Sequence, residues 1–471
     1  MARVVVIGAG LSGLAVAARL ARLRHDVTVI ERAAGPGGAA GRLERDGFGF
    51  DTGPTLLQLP AGWRDLFVKT GRNNPLETVL ELRPVDPAVR WEFADGSVVD
   101  LPNATRAGVG DALTAAFGPA AAAQWDAFLA TGDEVWARFR QGFLSGPVPV
   151  AFGRRAPREL RAARAALHPA RSYRDLMRRH LKDPRLRQAA AGYVLRLGSD
   201  PDLAPATAVL WPWLEQTFGA WEVVGGIRAL VDAVEARARQ RGARFRYDTT
   251  ATRIETAGSA VTAVHLVDHE PLAADVVVAA LDDQLLHGLC PGAVPTPRER
   301  SAGFCCLLLA LRDDDPGPLT RVSFPVAPQA ELAALRNGSP NREPTVFRSR
   351  ASAPPGAGAL TVTAPAAPSA GQETAEQLLR VLDARGHRVS ERLLWWELLT
   401  PADLSARTGS PGGAAIGPAL HGAEALHRPP NATRIRGLYH VGSAAHPGPG
   451  IALAPLGGAL VAEAVGRARP E

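Results

Sequence analysis

The stretch RVVVIGAGLSGLAVAARLARLRHDVTVIER, Arg3 to Arg32, decides the fold. RVVVI is a short apolar run closed by glycine, as buried strands are; LSGLAVAARLAR repeats its apolar residues at helical spacing; DVTVI is a second strand. Strand, helix and strand in so short a span make one βαβ unit of a parallel sheet. Between the first strand and the helix, Gly8, Gly10 and Gly13 hold the GxGxxG spacing. The first glycine permits the turn, the second lets backbone approach a pyrophosphate, and the third lets the helix pack on the strand. The free N–H groups of Leu11, Ser12 and Gly13 then face the phosphates together with the positive end of the helix dipole. Glu31, 18 residues after Gly13 and followed by Arg32, ends the second strand, where its carboxylate meets the ribose hydroxyls of an adenosine. The same charge repels the extra phosphate of NADP.

The rest of the composition sets limits. A chain of 471 residues exceeds a single ordinary domain, so several domains or one body built from discontinuous pieces is expected. Hydrophobic residues make up 46% and charged ones 21%, which excludes a disordered or membrane-embedded chain. No apolar run reaches the roughly 18 residues a spanning helix needs. The chain opens directly on its first strand without a signal peptide, and Cys290, Cys305 and Cys306 give no disulfide framework, so a cytoplasmic setting is expected. Cys305 and Cys306, inside FCCLLLAL, read as small core residues.

NAD and FAD share the βαβ unit, and ERAAGPGGAAGRLERDGFGFDTGPTLL, Glu31 to Leu57, separates them. It carries a second glycine pair, Gly37 and Gly38, then eight residues, then GFGFDTGP. This pattern resembles the amine oxidase and phytoene desaturase superfamily of flavoproteins, where the corresponding segments fold over the ribityl and diphosphate of FAD. The resemblance assigns Gly37, Gly38, Gly53, Pro54 and Thr55 to the cofactor. Near the other end, GLYHVGSAAHPGPGIALAPLGGAL, Gly437 to Leu460, is similar to the desaturase form of the segment that closes that site. Gly442, Ser443, His446, Pro447, Gly448 and Gly450 match residue by residue. The backbone of Gly450, Ile451 and Ala452 is thereby expected at the ribityl chain and the ring. Amine oxidases carry an AGExT-like signature where this chain has VGSAAHPG, so the desaturase branch is favoured. His446 lies in a motif explained by backbone geometry and is assigned no chemical role.

Two middle segments extend the resemblance. GAWEVVGGIRALVDAVEARARQRGARFRYDTTATRIETAGSAVTAV contains a GG-initiated helix and a strand on the adenine side, with Ala251 where relatives often have Val. LAADVVVAALDD matches the strand ending the middle FAD segment. Two departures stand out. Ala39 follows the glycine pair where Lys or Arg is common, leaving Arg42 to bring positive charge to the diphosphate, and SRASAPPGAGALTV lacks an Asp-Pro-rich desaturase segment. The implied fold is α/β: a Rossmann-type FAD-binding domain from residues 1–75, 220–285 and 405–471, and a mixed-sheet and helical substrate domain from 76–219 and 286–404.

On the substrate side, Arg138 to Arg187 holds 14 Lys or Arg against three acids, a local balance of +11 where the whole chain carries +6. A solvated helical face explains such a run; its functional alternatives are an anionic membrane surface, with the protein peripherally attached, or an acidic acyl carrier protein. Nucleic acid is not expected, because no aromatic residues interleave with the charges. Aromatic residues gather instead at Trp211, Trp213, Phe218 and Trp221, just before Gly225 and Gly226, in the region that lines the substrate path in relatives. Trp395 and Trp396 read as structural.

No metal-ligand cluster, nucleophile triad or catalytic carboxylate pair is evident, so the cofactor carries the chemistry. The resemblance implies desaturation of an apolar polyene of carotenoid type, with hydride leaving an allylic carbon for flavin N5 and a proton leaving the neighbouring carbon. The developing cation is delocalised, and no catalytic base is assigned. Alternatives consistent with the same motifs are dehydrogenation of a carrier-tethered polyene or cyclohexadiene, double-bond isomerisation or saturation, and a flavin-free prenyl-binding escort of the same fold. Glu31, the Gly37–Gly38 pair and the C-terminal turn argue against the last.

Overall fold

The computed structural model describes residues 1–71, 73–140, 144, 172–295, 299–315, 317–422 and 428–468. Five parallel strands form one sheet, in the order Arg244–Arg246, Asp26–Ile30, Arg3–Ile7, Val276–Ala279 and Leu438–His440. Alternation along Arg3–Ile7 divides its side chains between two faces. Val4 and Val6 join the core under the helices Leu11–Arg22, Ile227–Gln240 and Ala454–Val465. Val5 and Ile7 join the core under the meander Ala251–Ala257, Ala260–Leu266 and Leu272–Ala273. The last helix approaches the first closely because Gly458 faces Ala15; a Cβ there would lie 3.1 Å from that of Ala15.

A second sheet has seven strands in the order Leu393–Leu399, Gly303–Leu311, Gly358–Ala366, Val346–Arg350, Thr320–Ser323, Val89–Glu92 and Val98–Leu101. All pairings given for it are antiparallel except that of Thr320–Ser323 with Val89–Glu92. Its second strand, the FCCLLLAL run, again alternates its side chains between two faces. Cys305, Leu307, Leu309 and Leu311 pack with Leu378 and Leu382 of the helix Gln372–Ala384. Cys306, Leu308 and Ala310 pack with Phe48 and Phe50 of the GFGFD segment. Trp395 closes that junction, its ring 5.6 Å from each of the two phenylalanines.

Helices Arg106–Phe117, Pro119–Phe139, Tyr173–His180, Pro184–Leu195 and Leu210–Phe218 build an aromatic-rich layer beside this sheet. The parallel sheet takes its strands from residues 1–75, 220–285 and 405–471, the seven-stranded one from 76–219 and 286–404. Between them, Ala220–Val223 pairs with Leu57–Gln58 on one edge and Leu82–Pro84 on the other. Of the basic stretch 138–187, residues 141–143 and 145–171 lie outside the described residues.

Candidate functional site

The glycine motifs converge on the carboxyl edge of the parallel sheet, where open α/β sheets hold their ligands. Gly8 has φ +102°, and its N–H donates to Ile30 O at 2.8 Å, joining the ends of the first two strands. Gly13 packs so tightly that a Cβ would collide with Gly8 O. Over Gly10 the space is open, the nearest atom to a Cβ being Gly37 O at 3.9 Å. Gly37 N–H donates to Ala9 O at 3.0 Å, which brings the second glycine pair onto the first turn. The helix Leu11–Arg22 starts with no side-chain cap and no acid in its first turn. Its opening N–H groups, at Leu11, Ser12 and Gly13, are therefore left to an anion.

Glu31 sits at the end of the second strand, its carboxylate accepting from Ala9 N–H at 2.8 Å and Ala33 N–H at 2.9 Å. A carboxylate offers about four lone-pair sites, so acceptor capacity remains for two hydroxyls. Ala251 opens the meander nearby; Thr249 N–H donates to Glu31 O at 2.9 Å. These residues fit the diphosphate and adenosine of FAD: an open glycine surface, an uncapped helix start and an acceptor at ribose position. Arg32 is exposed and donates to Ala406 O at 2.5 Å, on the helix Pro401–Thr408.

Arg42, expected to bring positive charge to the diphosphate, is held by its own neighbours. It donates to Glu44 at 2.8 Å and to Gly225 O at 3.3 Å, with Asp51 at 3.9 Å, so it braces the Gly225–Gly226 turn. Asp51, buried, is a residue the sequence reading passed over inside GFGFDTGP. Its Oδ2 accepts from Ile227 N–H at 3.0 Å, at the start of the helix Ile227–Gln240. Burial pushes its carboxyl above the usual range, against the pull of the Ile227 N–H and the Arg42 charge. Its Oδ1 accepts no hydrogen bond from any described residue. A cleft of about 420 Å³ lies here, between Arg42, Asp51 and Thr55 on one side and Ser349 to Ala353 on the other.

The C-terminal turn meets the same edge. Gly442 faces Leu281 O, 3.7 Å from where its Cβ would stand, and Leu281 also borders Gly8. Asn431, unmarked in the sequence, ties the strand to the turn by donating to His440 O at 3.0 Å and His446 O at 2.7 Å. His446 is fully buried, and its N–H donates to Pro429 O at 2.9 Å. Trp63 donates to Ile451 O at 3.0 Å, holding the turn Gly450–Ala452 beside the helix Ala61–Thr70. Ser443 is half-buried at the strand end. Pro54 and Thr55 bring the GFGFDTGP segment to the seven-stranded sheet, with Thr55 Oγ1 3.0 Å from Ser349 Oγ. Gly53 has no room for a Cβ, which would collide with Ala39 O.

The four aromatic residues take different places. Trp211 is half-buried, its ring 4.0 Å from where a Cβ of Gly450 would be. Trp213 faces the other way, into the helical core against Trp136 and Phe218, with its indole N–H on Asp133 at 2.7 Å. Two residues along a helix turn by about 200°, so both cannot face the same ligand. Trp213 therefore belongs to the packing, and Phe218 joins it through Trp136. Trp221 donates to Phe218 O at 3.1 Å and lies under Arg64.

With this geometry in place, comparison with known proteins assigns the family. Residues 11–384 match the flavin containing amine oxidoreductase family. Hydroxyneurosporene desaturase of Cereibacter sphaeroides is 31% identical over 98% of this chain and 97% of its own. The zeta-carotene-forming phytoene desaturase of Myxococcus xanthus is 35% identical over 59% of this chain and 53% of its own. The solved structure of cyclohexylamine oxidase from Brevibacterium oxydans superposes with a TM-score of 0.63 over 98% of this chain and 99% of that one, at 17% identity. The chain belongs to the flavin containing amine oxidoreductase family, on its carotenoid desaturase-like side, and is an FAD-dependent oxidoreductase.

Proposed function

We propose that this member of the family desaturates a long apolar polyene of carotenoid type. One observation carries the reading: the turn Gly442–Ala452 opens onto the aromatic helical layer, with Trp211 against Gly450 and Leu453 inside the layer's apolar cluster. A polyene gains by entering such a layer, at about 25 cal/mol per Å² of apolar surface removed from water. Relatives named hydroxyneurosporene desaturase, alike along the whole chain, support the same substrate class.

Bound FAD supplies the two-electron acceptor for hydride leaving an allylic carbon. The chain's residues hold and shield. Gly8 to Gly13, Gly37 and Gly38 cradle the diphosphate, Glu31 accepts from the ribose, and Ala251 flanks the adenine. Gly53 to Thr55 and Gly442 to Ala452 border the ribityl chain and the ring, while Trp211 and Leu453 exclude water from the reacting carbons. Arg42 acts through Asp51 and the Gly225 turn. The FAD-binding and substrate domains correspond to the parallel and the seven-stranded sheet with their helices.

A polyene resides in lipid, and among the described residues no helix is long and apolar enough to cross a membrane. The protein is therefore proposed to collect its substrate at an anionic membrane surface through the basic stretch 138–187, whose described basic side chains are Arg140, Arg174, Arg178, Arg179, Lys182, Arg185 and Arg187. Anaerobic mixing of the FAD-loaded protein with hydroxyneurosporene or phytoene in anionic liposomes tests the reading. Bleaching of oxidised flavin together with a longer-wavelength polyene product is expected. Unchanged flavin absorption with FAD demonstrably bound refutes it.

A further inference from the structure

The helical layer proposed to receive the polyene contains a polar cluster that an apolar polyene does not require. Glu215, 4% exposed, lies one turn after Trp211 on the helix Leu210–Phe218, so the two share a face. Its Oε1 accepts from the Tyr193 hydroxyl at 2.6 Å and its Oε2 from the Gln58 amide at 3.0 Å. Arg196 stands 3.7 Å from the same carboxylate and lies over the Phe347 ring at 5.1 Å. Phe347 and Ser349 share one face of the strand Val346–Arg350, and Ser349 meets Thr55 of the proposed flavin segment. These contacts and shared faces form a chain from Gly450 through Trp211, Glu215, Arg196, Phe347 and Ser349 to Thr55. Its two ends are the two segments proposed to border the flavin.

Arg196 distinguishes this group from a structural brace. The protein's bracing arginines donate to fixed oxygens: Arg237 to Phe67 O, Thr70 Oγ1 and Asn74 O at 2.9, 3.2 and 2.6 Å, and Arg385 to Ser323 O and Pro344 O at 3.0 Å each. The Arg196 guanidinium donates no hydrogen bond to any described residue, although it carries five N–H donors. Burial, and after it the neighbouring carboxylate, raises the Tyr193 phenol well above its ordinary value, so that it remains a donor.

From this geometry we infer that Arg196, with Glu215, Tyr193 and Gln58, binds a hydroxyl group on the polyene and so sets substrate preference. The hydroxyl oxygen accepts from Arg196, and its proton is offered to Glu215, which has lone pairs to spare. A site built to hydrogen-bond a hydroxyl discriminates strongly against the analogue that lacks it, because its own polar groups are then left unmatched. The inference rests on the polyene reading above.

The test compares hydroxyneurosporene with neurosporene, the hydrocarbon without the hydroxyl, as anaerobic reductants of the FAD-loaded protein. The ratio of their kcat/KM values is measured for the wild type, Arg196→Met, Arg196→Lys and Tyr193→Phe. The wild type is expected to favour the hydroxylated polyene by roughly 10-fold to 100-fold, the range of one hydrogen bond to a charged group. Arg196→Met should bring the ratio to within a few-fold of unity, and Arg196→Lys should restore part of it. A purely bracing role would lower melting temperature in Arg196→Met and leave the ratio alone, which overturns the inference. Equal kcat/KM values in the wild type overturn it as well, with the polyene reading intact. Failure of both polyenes to bleach bound flavin overturns that reading and this inference together.

Discussion

The two sides of the site are made by opposite means. The carboxyl edge of the parallel sheet is backbone: glycines, carbonyls and uncapped N–H groups, in which a missing side chain is the functional feature. The proposed facing wall is side chain: Trp211, Glu215, Tyr193, Arg196 and Phe347, gathered from two neighbouring helices and a distant strand. The first kind of surface fixes a cofactor common to many reactions. The second kind is proposed to select the substrate that meets it.

Substitutions at the glycine turn should do most damage. Gly13→Val forces a collision with Gly8 O, and because the obstacle is backbone it cannot rotate away. Overpacking at a site this rigid should exceed about 3 kcal/mol, seen as loss of bound flavin and of a cooperative thermal transition. A Gly13→Val protein that stayed yellow would break the contrast.

The two neighbouring tryptophans come next. Trp213→Ala empties a core position and should cost about 3–5 kcal/mol of stability. Trp211→Ala should cost less stability and more activity, because Trp211 is half-buried beside Gly450. Melting curves and flavin bleaching rates measured on both variants would reveal any exchange of these effects.

The seven-stranded sheet adds a pH signature. Burial would raise the Glu92 carboxyl, but its hydrogen bond to His387 and the charges of His387, Arg348 and Arg321 prevail and bring it to about 2. The folded value lies below the ordinary one, so the contribution is present above about 4.5 and is lost as pH falls toward about 2. It is on the order of 3 kcal/mol. Denaturation curves of Glu92→Gln should lose this acid-limb dependence; retention of it would reassign the limb to other carboxylates.

The smallest expected effect belongs to the one side chain in the cradle whose carboxylate is proposed to reach the ribose. Glu31→Ala should weaken FAD binding by about 1.5–3 kcal/mol, one charged hydrogen bond's worth, and leave the fold in place. Titration of the apoprotein with FAD measures it, and undiminished affinity would remove Glu31 from the site.

How much could be read in advance follows the same division. Gly8, Gly10, Gly13 and the Gly37–Gly38 pair were legible because backbone geometry imposes a fixed spacing on a contiguous stretch. The unbroken apolar run FCCLLLAL likewise marked Cys305 and Cys306 as core residues, and both are buried. Asp51 and Asn431 escaped notice because a carboxylate or amide that holds a turn across 176 or 9 residues leaves no periodic mark. The cluster around Glu215 was hidden for the same reason, with partners at Gln58 and Tyr193 on separate elements. The partners of Arg42, at Glu44, Asp51 and Gly225, were equally hidden, since Gly225 lies 183 residues away. The aromatic run was read as one surface, and the turn of a helix separates Trp211 from Trp213.

The central claim is that a polyene is dehydrogenated at a flavin held by the glycine edge. Its most direct test is single-turnover stoichiometry: FAD-loaded protein in excess, no oxygen, hydroxyneurosporene as substrate, with flavin absorption and product mass followed together. The account predicts one flavin reduced for each polyene that loses two hydrogens. Polyene converted with its mass unchanged and the flavin still oxidised would contradict it.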